Sequence, residues 1–290
     1  MSLASLPLYS ESPFVERTRK SLRINPALVA DYLVKFLRDE CIRVRGIKRA
    51  VVGVSGGVDS SVTPYLCAHA FGPENTFAFR LPYKVSSPES YSHAKLVVDK
   101  LGIHSRTIEI TDMVDGYLLD HEPDATPLRV GNVCARCRMI VLFDQSAKLN
   151  ALPIGTGNKS ERLLGYFTWH ADDAPPINPL GDLFKTQVYQ LAQYLGVPEV
   201  ILKKPPSPDL VRGVTAAGEL GITYEKADPI LFRVLQGFSP EKLKQLGFDA
   251  GEVDIVWKRL SRTHWKRHLP TVAVLSDTAI NEFYLRPVDY

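Results

Sequence analysis

The chain of 290 residues has no run approaching the roughly 20 apolar residues that a membrane-spanning helix requires. Its first twelve residues lack the basic-then-apolar pattern of a secretory signal. Cysteine is scarce: Cys41, Cys67, Cys134 and Cys137 are too few for a disulfide framework, and a reducing cytoplasm is the expected compartment. Charge of one sign is also missing. A formal net charge of +3 excludes a general nucleic-acid or membrane-surface binder, although residues 17–23 and 258–267 are locally basic. There is no internal repeat, and no glycine-rich loop ends in the Gly-Lys-Ser/Thr of a Walker site. What remains, 45% apolar and 23% charged residues, is the composition of a globular domain.

The pattern along that domain alternates. Asn25-Pro26 is a helix start, followed by Leu28, Tyr32, Leu33, Phe36 and Leu37 at helical spacing. Ala50 to Val54 reads as a buried strand, Ser60 to Ala70 as a helix, and Thr76 to Leu81 as the next strand. Pro88 to Leu101 is a helix closed by Gly102, and His104 to Ile110 is a third strand. Val133 to Leu149 is helical, Leu152 to Gly155 leads from a fourth strand toward a helix over Lys159 to Gly165, and Gln187 to Leu195 is another helix. This alternation predicts an α/β fold with a doubly wound parallel sheet, taken as five-stranded, with additional helices. Residues 1–24 are expected as an N-terminal arm, 25–268 as a single domain, and 269–290 as a tail. The proline- and glycine-rich stretch 203–224 is expected to be a lid or binding loop.

Ser55-Gly56-Gly57-Val58-Asp59-Ser60 follows the first strand and opens a helix. The glycines allow a tight turn and a close approach of phosphate to the main chain, whose N–H groups join the helix N-terminus in an anion nest. Ser55 and Ser60 add hydroxyls. Asp59 suits such a site if Mg²⁺ lies between it and the phosphates, since Mg²⁺ takes carboxylate and phosphate oxygens together. Strands in an open parallel sheet present ligands at their carboxyl ends, so this turn and Gly155-Thr156-Gly157 share one edge.

The Ser-Gly-Gly-x-Asp-Ser loop resembles that of the ATP pyrophosphatases. Five further stretches in one order make the chain, from about residue 26 to 268, similar to the ammonia-dependent NAD synthetases: Arg80 to Tyr83, Gly131 to Met139, Gly155 to Thr168, Pro179 to Val188, and Lys204-Pro205-Pro206-Ser207 with Glu219 to Ile222. The resemblance implies an amide synthetase: the carboxylate of nicotinate adenine dinucleotide attacks the α-phosphate of ATP, pyrophosphate leaves, and ammonia converts the acyl-adenylate to NAD and AMP. It implies Asp59 and Glu161 as Mg²⁺ ligands and Asp59, Asp172 and Lys185 as the catalytic group. Gly53, Ser55, Gly56, Gly57, Asp59, Ser60, Arg80, Thr156, Lys185 and Ser207 would bind ATP. Asn132, Arg136, Trp169, Asp172, Trp265 and Lys266 would meet the acceptor, while Arg138 would face elsewhere, toward a subunit contact. A homodimer is implied, with free ammonia or a separate glutaminase as nitrogen source, and with neither membrane nor nucleic acid as partner. Cys134 and Cys137 form a Cys-x-x-Cys with no second pair to complete a zinc site.

The departures lie on the acceptor side. Where the family carries Gly-Asp-Gly, this chain has Ala171-Asp172-Asp173; where it carries lysine, Trp169; where it carries an acidic pair, Ala216-Ala217; and its His-Lys-Arg reads Trp265-Lys266-Arg267. These leave open a synthetase of the same lineage acting on a different aromatic or heteroaromatic carboxylate. A tRNA-thiolating ATP pyrophosphatase and a non-catalytic nucleotide-binding module are the readings from other classes; the first predicts a basic surface, the second binding without pyrophosphate release.

Overall fold

The computed structural model of the chain describes residues 12–206, 215–268 and 271–276. Four strands, β1 (Ala50–Gly53), β2 (Thr76–Arg80), β3 (His104–Thr107) and β4 (Leu152–Pro153), form one parallel sheet in the order β3-β2-β1-β4. The crossovers carry helices α3 (Val58–Phe71), α4 (Pro88–Leu101), and then α5 (Thr111–His121) and α6 (Pro127–Leu149). The α/β, doubly wound reading therefore holds, but the sheet has four strands among the described residues rather than the expected five. The segment after β4 that would extend it makes a single parallel bridge, Ile154 to Ile177. Pro175, Pro176 and Pro179 around that bridge have no N–H to give a ladder, so pairing stops after one step.

Alternation along β1 explains the layers. Ala50 and Val52 point to one face, into a core with α3, α2 (Pro26–Leu37) and α8 (Lys185–Leu195), while Val51 points to the other, against α6 and Phe79. Asn25 caps α2 by accepting from Leu28 N–H at 3.2 Å. Of its apolar positions, Leu33 and Leu37 are buried, but Leu28 and Tyr32 face solvent. The third strand is shorter than expected. Beyond Thr107 the backbone continues to bond β2 and its extension (Ile108 N–H to Arg80 C=O, Ile110 N–H to Pro82 C=O) without forming regular strand. Helix α6 begins at Pro127, capped by Thr126, earlier than the apolar spacing suggested. Cys134 and Cys137 are free thiols packed into the sheet-facing core, and burial pushes both up.

A second core is built from α7 (Lys159–Leu163), α10 (Ala216–Leu220), α11 (Tyr224–Leu235), α12 (Pro240–Gln245) and α13 (Ala250–Arg262), while α9 (Glu199–Lys203) packs with α8 in the first. Residues 13–21, expected as part of an extended arm, form helix α1 (Pro13–Ser21), which packs on α11. The cause is local: Ser12 caps it, Pro13 starts it, and Val15, Thr18 and Leu22 share a buried face. Ser207 and residues 208–214 of the expected loop lie outside the described residues, as do 1–11 and most of the tail. Among the described residues, no helix is long and apolar enough to cross a membrane.

Candidate active site

Because the strands are parallel, the turns after β1 and β4 open at one edge, over a cavity of about 1040 Å³. The first turn closes on itself: Ser55 Oγ and Ser60 Oγ lie 2.9 Å apart, and Ser55 N–H donates to Ser60 Oγ at 3.1 Å. Gly57 caps α3 with no side chain over the helix end, so the first N–H groups of α3 remain available to an anion. Gly56 has φ +82°, and a Cβ there would fall 2.3 Å from the carbonyl oxygen of Ser90 in α4. It sits behind the cavity wall, while Gly53, Ser55, Gly57, Asp59 and Ser60 line it.

Asp59 projects from the first turn of α3 to meet α7 and α8. Asn158, the buried N-cap of α7, organises the meeting. Its side chain accepts from Glu161 N–H at 3.0 Å, its own N–H donates to Glu161 Oε2 at 3.2 Å, and its Nδ2 donates to Asp59 Oδ1 at 2.9 Å. The free oxygen of each carboxylate receives Lys185 Nζ, directly at Asp59 Oδ2 and at 3.2 Å from Glu161 Oε1. The side chain of Lys185 is 5% exposed, so this ammonium is committed to the pair. Burial works against the charge on Lys185, but Asp59 and Glu161 more than offset it and hold its pKa well above the ordinary lysine value. Burial pushes the Glu161 carboxyl up to about 7, with Lys185 pulling against it.

Helix α8 is anchored at the same point. Lys185 N–H donates to Ser160 Oγ at 2.8 Å, Ser160 donates to Asp228 Oδ1 at 2.6 Å, and Thr186 N–H donates to Asp228 Oδ2 at 2.9 Å. Arg80, at the end of β2, lies 4.7 Å over the Tyr91 ring with its Nε buried and unpartnered. Thr156, in the turn after β4, lines the same cavity.

The acceptor-side candidates divide. Asn132, Asp172 and Lys266 line the cavity. Thr168 Oγ1 donates to Asn132 Oδ1 at 2.8 Å, and Asp172 Oδ2 accepts from Thr168 N–H at 2.8 Å. Lys266 Nζ donates to the Gly165 and Phe167 carbonyls, tying this segment to the C-terminal helices. Arg136, Trp169 and Trp265 are not among the lining residues and form a cluster of their own: Arg136 donates to the Trp169 carbonyl at 3.1 Å, and the two indoles meet edge-to-face at 5.1 Å.

A family described as NAD synthase matches residues 29–270. The NH(3)-dependent NAD(+) synthetase of Fusobacterium nucleatum is 46% identical over 253 residues, covering 87% of this chain and 97% of that protein. The corresponding protein of Trichlorobacter lovleyi is 46% identical over 261 residues, covering 90% and 95%. Among solved structures, the NMN synthetase of Francisella tularensis superposes with a TM-score of 0.77 at 31% identity, covering 87% of this chain and 99% of that one. The NH3-dependent NAD synthetase of Campylobacter jejuni gives 0.74 at 30%, covering 87% and 100%. The chain belongs to the NAD synthase family.

In this NAD synthase family member, four cavity residues carry geometry that the sequence reading did not assign. Asn158 was visible only as part of a motif; its Asn-x-x-Glu spacing to Glu161 is a capping-box signature that marks it. Tyr224 lies with its ring 5.4 Å from Lys185 Nζ and its hydroxyl buried without a partner, and no local pattern announces it. Arg138, expected to face away toward a subunit contact, instead lines the cavity and donates to the Leu81 carbonyl at 3.0 Å. Its position two residues from Arg136 does turn it to another face of α6, and that face is the inner one. Lys204, at the root of the loop, donates to Ser90 Oγ at 2.9 Å.

Proposed function

We propose that the protein is an ATP-dependent amide synthetase that converts nicotinate adenine dinucleotide and ammonia to NAD, releasing AMP and pyrophosphate. The observation that carries this reading is the convergence of Asp59, Glu161 and Lys185 at the mouth of a glycine turn, in the same cavity as Asn132 and Asp172. The relatives named above act on ammonia by their names, and their near-complete coverage supports carrying the reaction to this chain.

In this reading Gly53, Ser55, Gly57, Ser60, Arg80, Thr156 and Ser207 bind the nucleotide, and Gly56 shapes the turn from behind the cavity wall instead of touching the ligand. The N–H groups at the start of α3 receive phosphate oxygens. Asp59 and Glu161 hold Mg²⁺; their free oxygens converge on one cation in the structure, the Lys185 ammonium, which is the fit expected of a cation site. A pair of carboxylates facing a phosphate-binding turn is a donor set that would suit Mg²⁺, which takes carboxylate and phosphate oxygens together. When bound, Mg²⁺ supplies charge neutralisation at the phosphate oxygens. Lys185 neutralises the phosphates as the acceptor carboxylate displaces pyrophosphate. Asn132 and Asp172 orient the acceptor and the incoming ammonia, and Lys266 fixes the loop that carries Asp172. Arg136, Trp169 and Trp265 act at the rim, toward the outer part of the acceptor. The enzyme works as a cytoplasmic homodimer and takes ammonia free or from a separate glutaminase.

A second reading keeps the chemistry and changes the acceptor to a smaller nicotinate carboxylate. It is favoured by the likeness to the Francisella tularensis structure named NMN synthetase and by Trp169, Ala171, Asp173 and Ala216-Ala217 on the acceptor side. Release of AMP and pyrophosphate from Mg-ATP and ammonium, with nicotinate adenine dinucleotide, nicotinate mononucleotide or no acceptor, separates the readings. NAD formation dependent on the dinucleotide supports the first; turnover only with the mononucleotide supports the second; release independent of either acceptor rejects both.

A further inference from the structure

Asp59 and Glu161 each have one oxygen held by Asn158 and the other turned to Lys185. The two carboxylates come from different helices, yet their free oxygens meet at one point, and that point is filled by an ammonium. A divalent ion bound to both carboxylates needs the same oxygens, and a second cation in contact with it would be strongly repelled where little water screens the pair. Resting on the reading of these carboxylates as the Mg-ATP ligands, we infer that Lys185 is an internal placeholder for the metal, so that the divalent ion enters as its nucleotide complex and not ahead of it.

The charges favour this order. Two carboxylates and one ammonium leave a single negative charge; free Mg²⁺ arriving alone would make the buried site positive and leave Lys185 without a partner. Mg-ATP brings anionic oxygens with the metal. Lys185 then exchanges carboxylate for phosphate, which frees the Asp59 and Glu161 oxygens that would hold the metal. The side chain has somewhere to move: it stands at the edge of the open cavity, with the Tyr224 ring 5.4 Å away and the Tyr224 hydroxyl unpartnered. Until then the ammonium keeps two like-charged carboxylates together in metal-ready geometry, a positioning role additional to its contact with phosphate.

Mn²⁺ titration followed by electron paramagnetic resonance, without nucleotide, tests the exchange. An occupied site lowers apparent affinity by the fraction that is free, so wild type is expected to bind Mn²⁺ at least about tenfold more weakly than Lys185→Met and Lys185→Gln. Lys185→Gln keeps a hydrogen-bond donor between the carboxylates and covers the case in which Lys185→Met fails to fold. Adding ATP to wild type is expected to restore tight Mn²⁺ binding. Equal nucleotide-free affinity in wild type and both variants, weaker binding in the variants, or wild-type affinity unchanged by ATP would each overturn the inference. NAD formation by wild type is scored separately: turnover with equal Mn²⁺ affinities rejects the placeholder and leaves the proposed reaction standing.

Discussion

Replacing Asp228 by Asn isolates the anchor beneath the site. Asp228 is fully buried and accepts from both Ser160 Oγ and Thr186 N–H. Asn keeps one acceptor and turns an NH₂ toward the other donor, leaving a buried group unpaired at a cost of about 1–3 kcal/mol. The pH dependence is more diagnostic. Burial pushes the Asp228 carboxyl up to about 6, despite opposing hydrogen bonds from Ser160 and Thr186, against about 3.9 in an unfolded chain. The folded state then binds the proton more tightly than the unfolded state, so this group adds stability as pH falls through 6 and adds almost none above 7. Between pH 7 and pH 5 the difference is about 1.3 kcal/mol, which the variant lacks. Other groups titrate in both proteins and cancel in the comparison. Thermal melts of wild type and Asp228→Asn at pH 7 and pH 5 are therefore expected to show a Tm gap about 2 °C wider at pH 5. A gap that is constant, or that narrows on acidification, would refute the assignment of Asp228 as a carboxylate raised by burial.

Asp59→Ala is expected to reduce Mg-dependent pyrophosphate release by about a thousandfold or more, since it removes the contact that holds Lys185 together with the proposed metal ligand; turnover within tenfold of wild type would reject that role. Asn158→Ala should lose about 1–2 kcal/mol of stability through the missing α7 cap and about 10–100-fold in Mg-ATP-dependent kcat/KM, measured by melts and steady-state kinetics on one preparation; loss of stability alone would reduce Asn158 to a cap. Gly56→Ala places a Cβ against the Ser90 carbonyl at a positive φ, so a stability loss of about 1–3 kcal/mol with weakened ATP binding by calorimetry is expected, and an unchanged ATP affinity would mean that the turn tolerates a side chain.

What the sequence made legible was what is local. The turn at residues 55–60 could be read because its glycines, serines and aspartate are contiguous and follow an apolar strand. The parallel sheet between helices followed from strands alternating with helices along the chain. The fifth strand was overcounted: the apolar runs marked only four, and the proline-flanked segment at Ile177 adds a single bridge. Helix α1 was read as an arm although Ser12-Pro13 is a helix start, since few of its residues are apolar and its burial comes from packing on the distant α11. Tyr224 and Asp228 were not legible, because their roles arise from helices brought together across the fold. Sequence alone also did not divide the acceptor-side candidates: Asn132 and Asp172 line the cavity, whereas Arg136, Trp169 and Trp265 cluster outside its lining.

Asp59 and Lys185 are 126 residues apart in sequence. A ribosome adding roughly 5–20 residues per second needs on the order of 6–25 s to pass from one to the other. Throughout that interval the emerging chain has its glycine turn but lacks the ammonium that neutralises Asp59, and for most of it Glu161 is missing as well. A nascent chain is therefore poorly equipped to capture a nucleotide, and competence arrives late, when the C-terminal helices lock α8 in place.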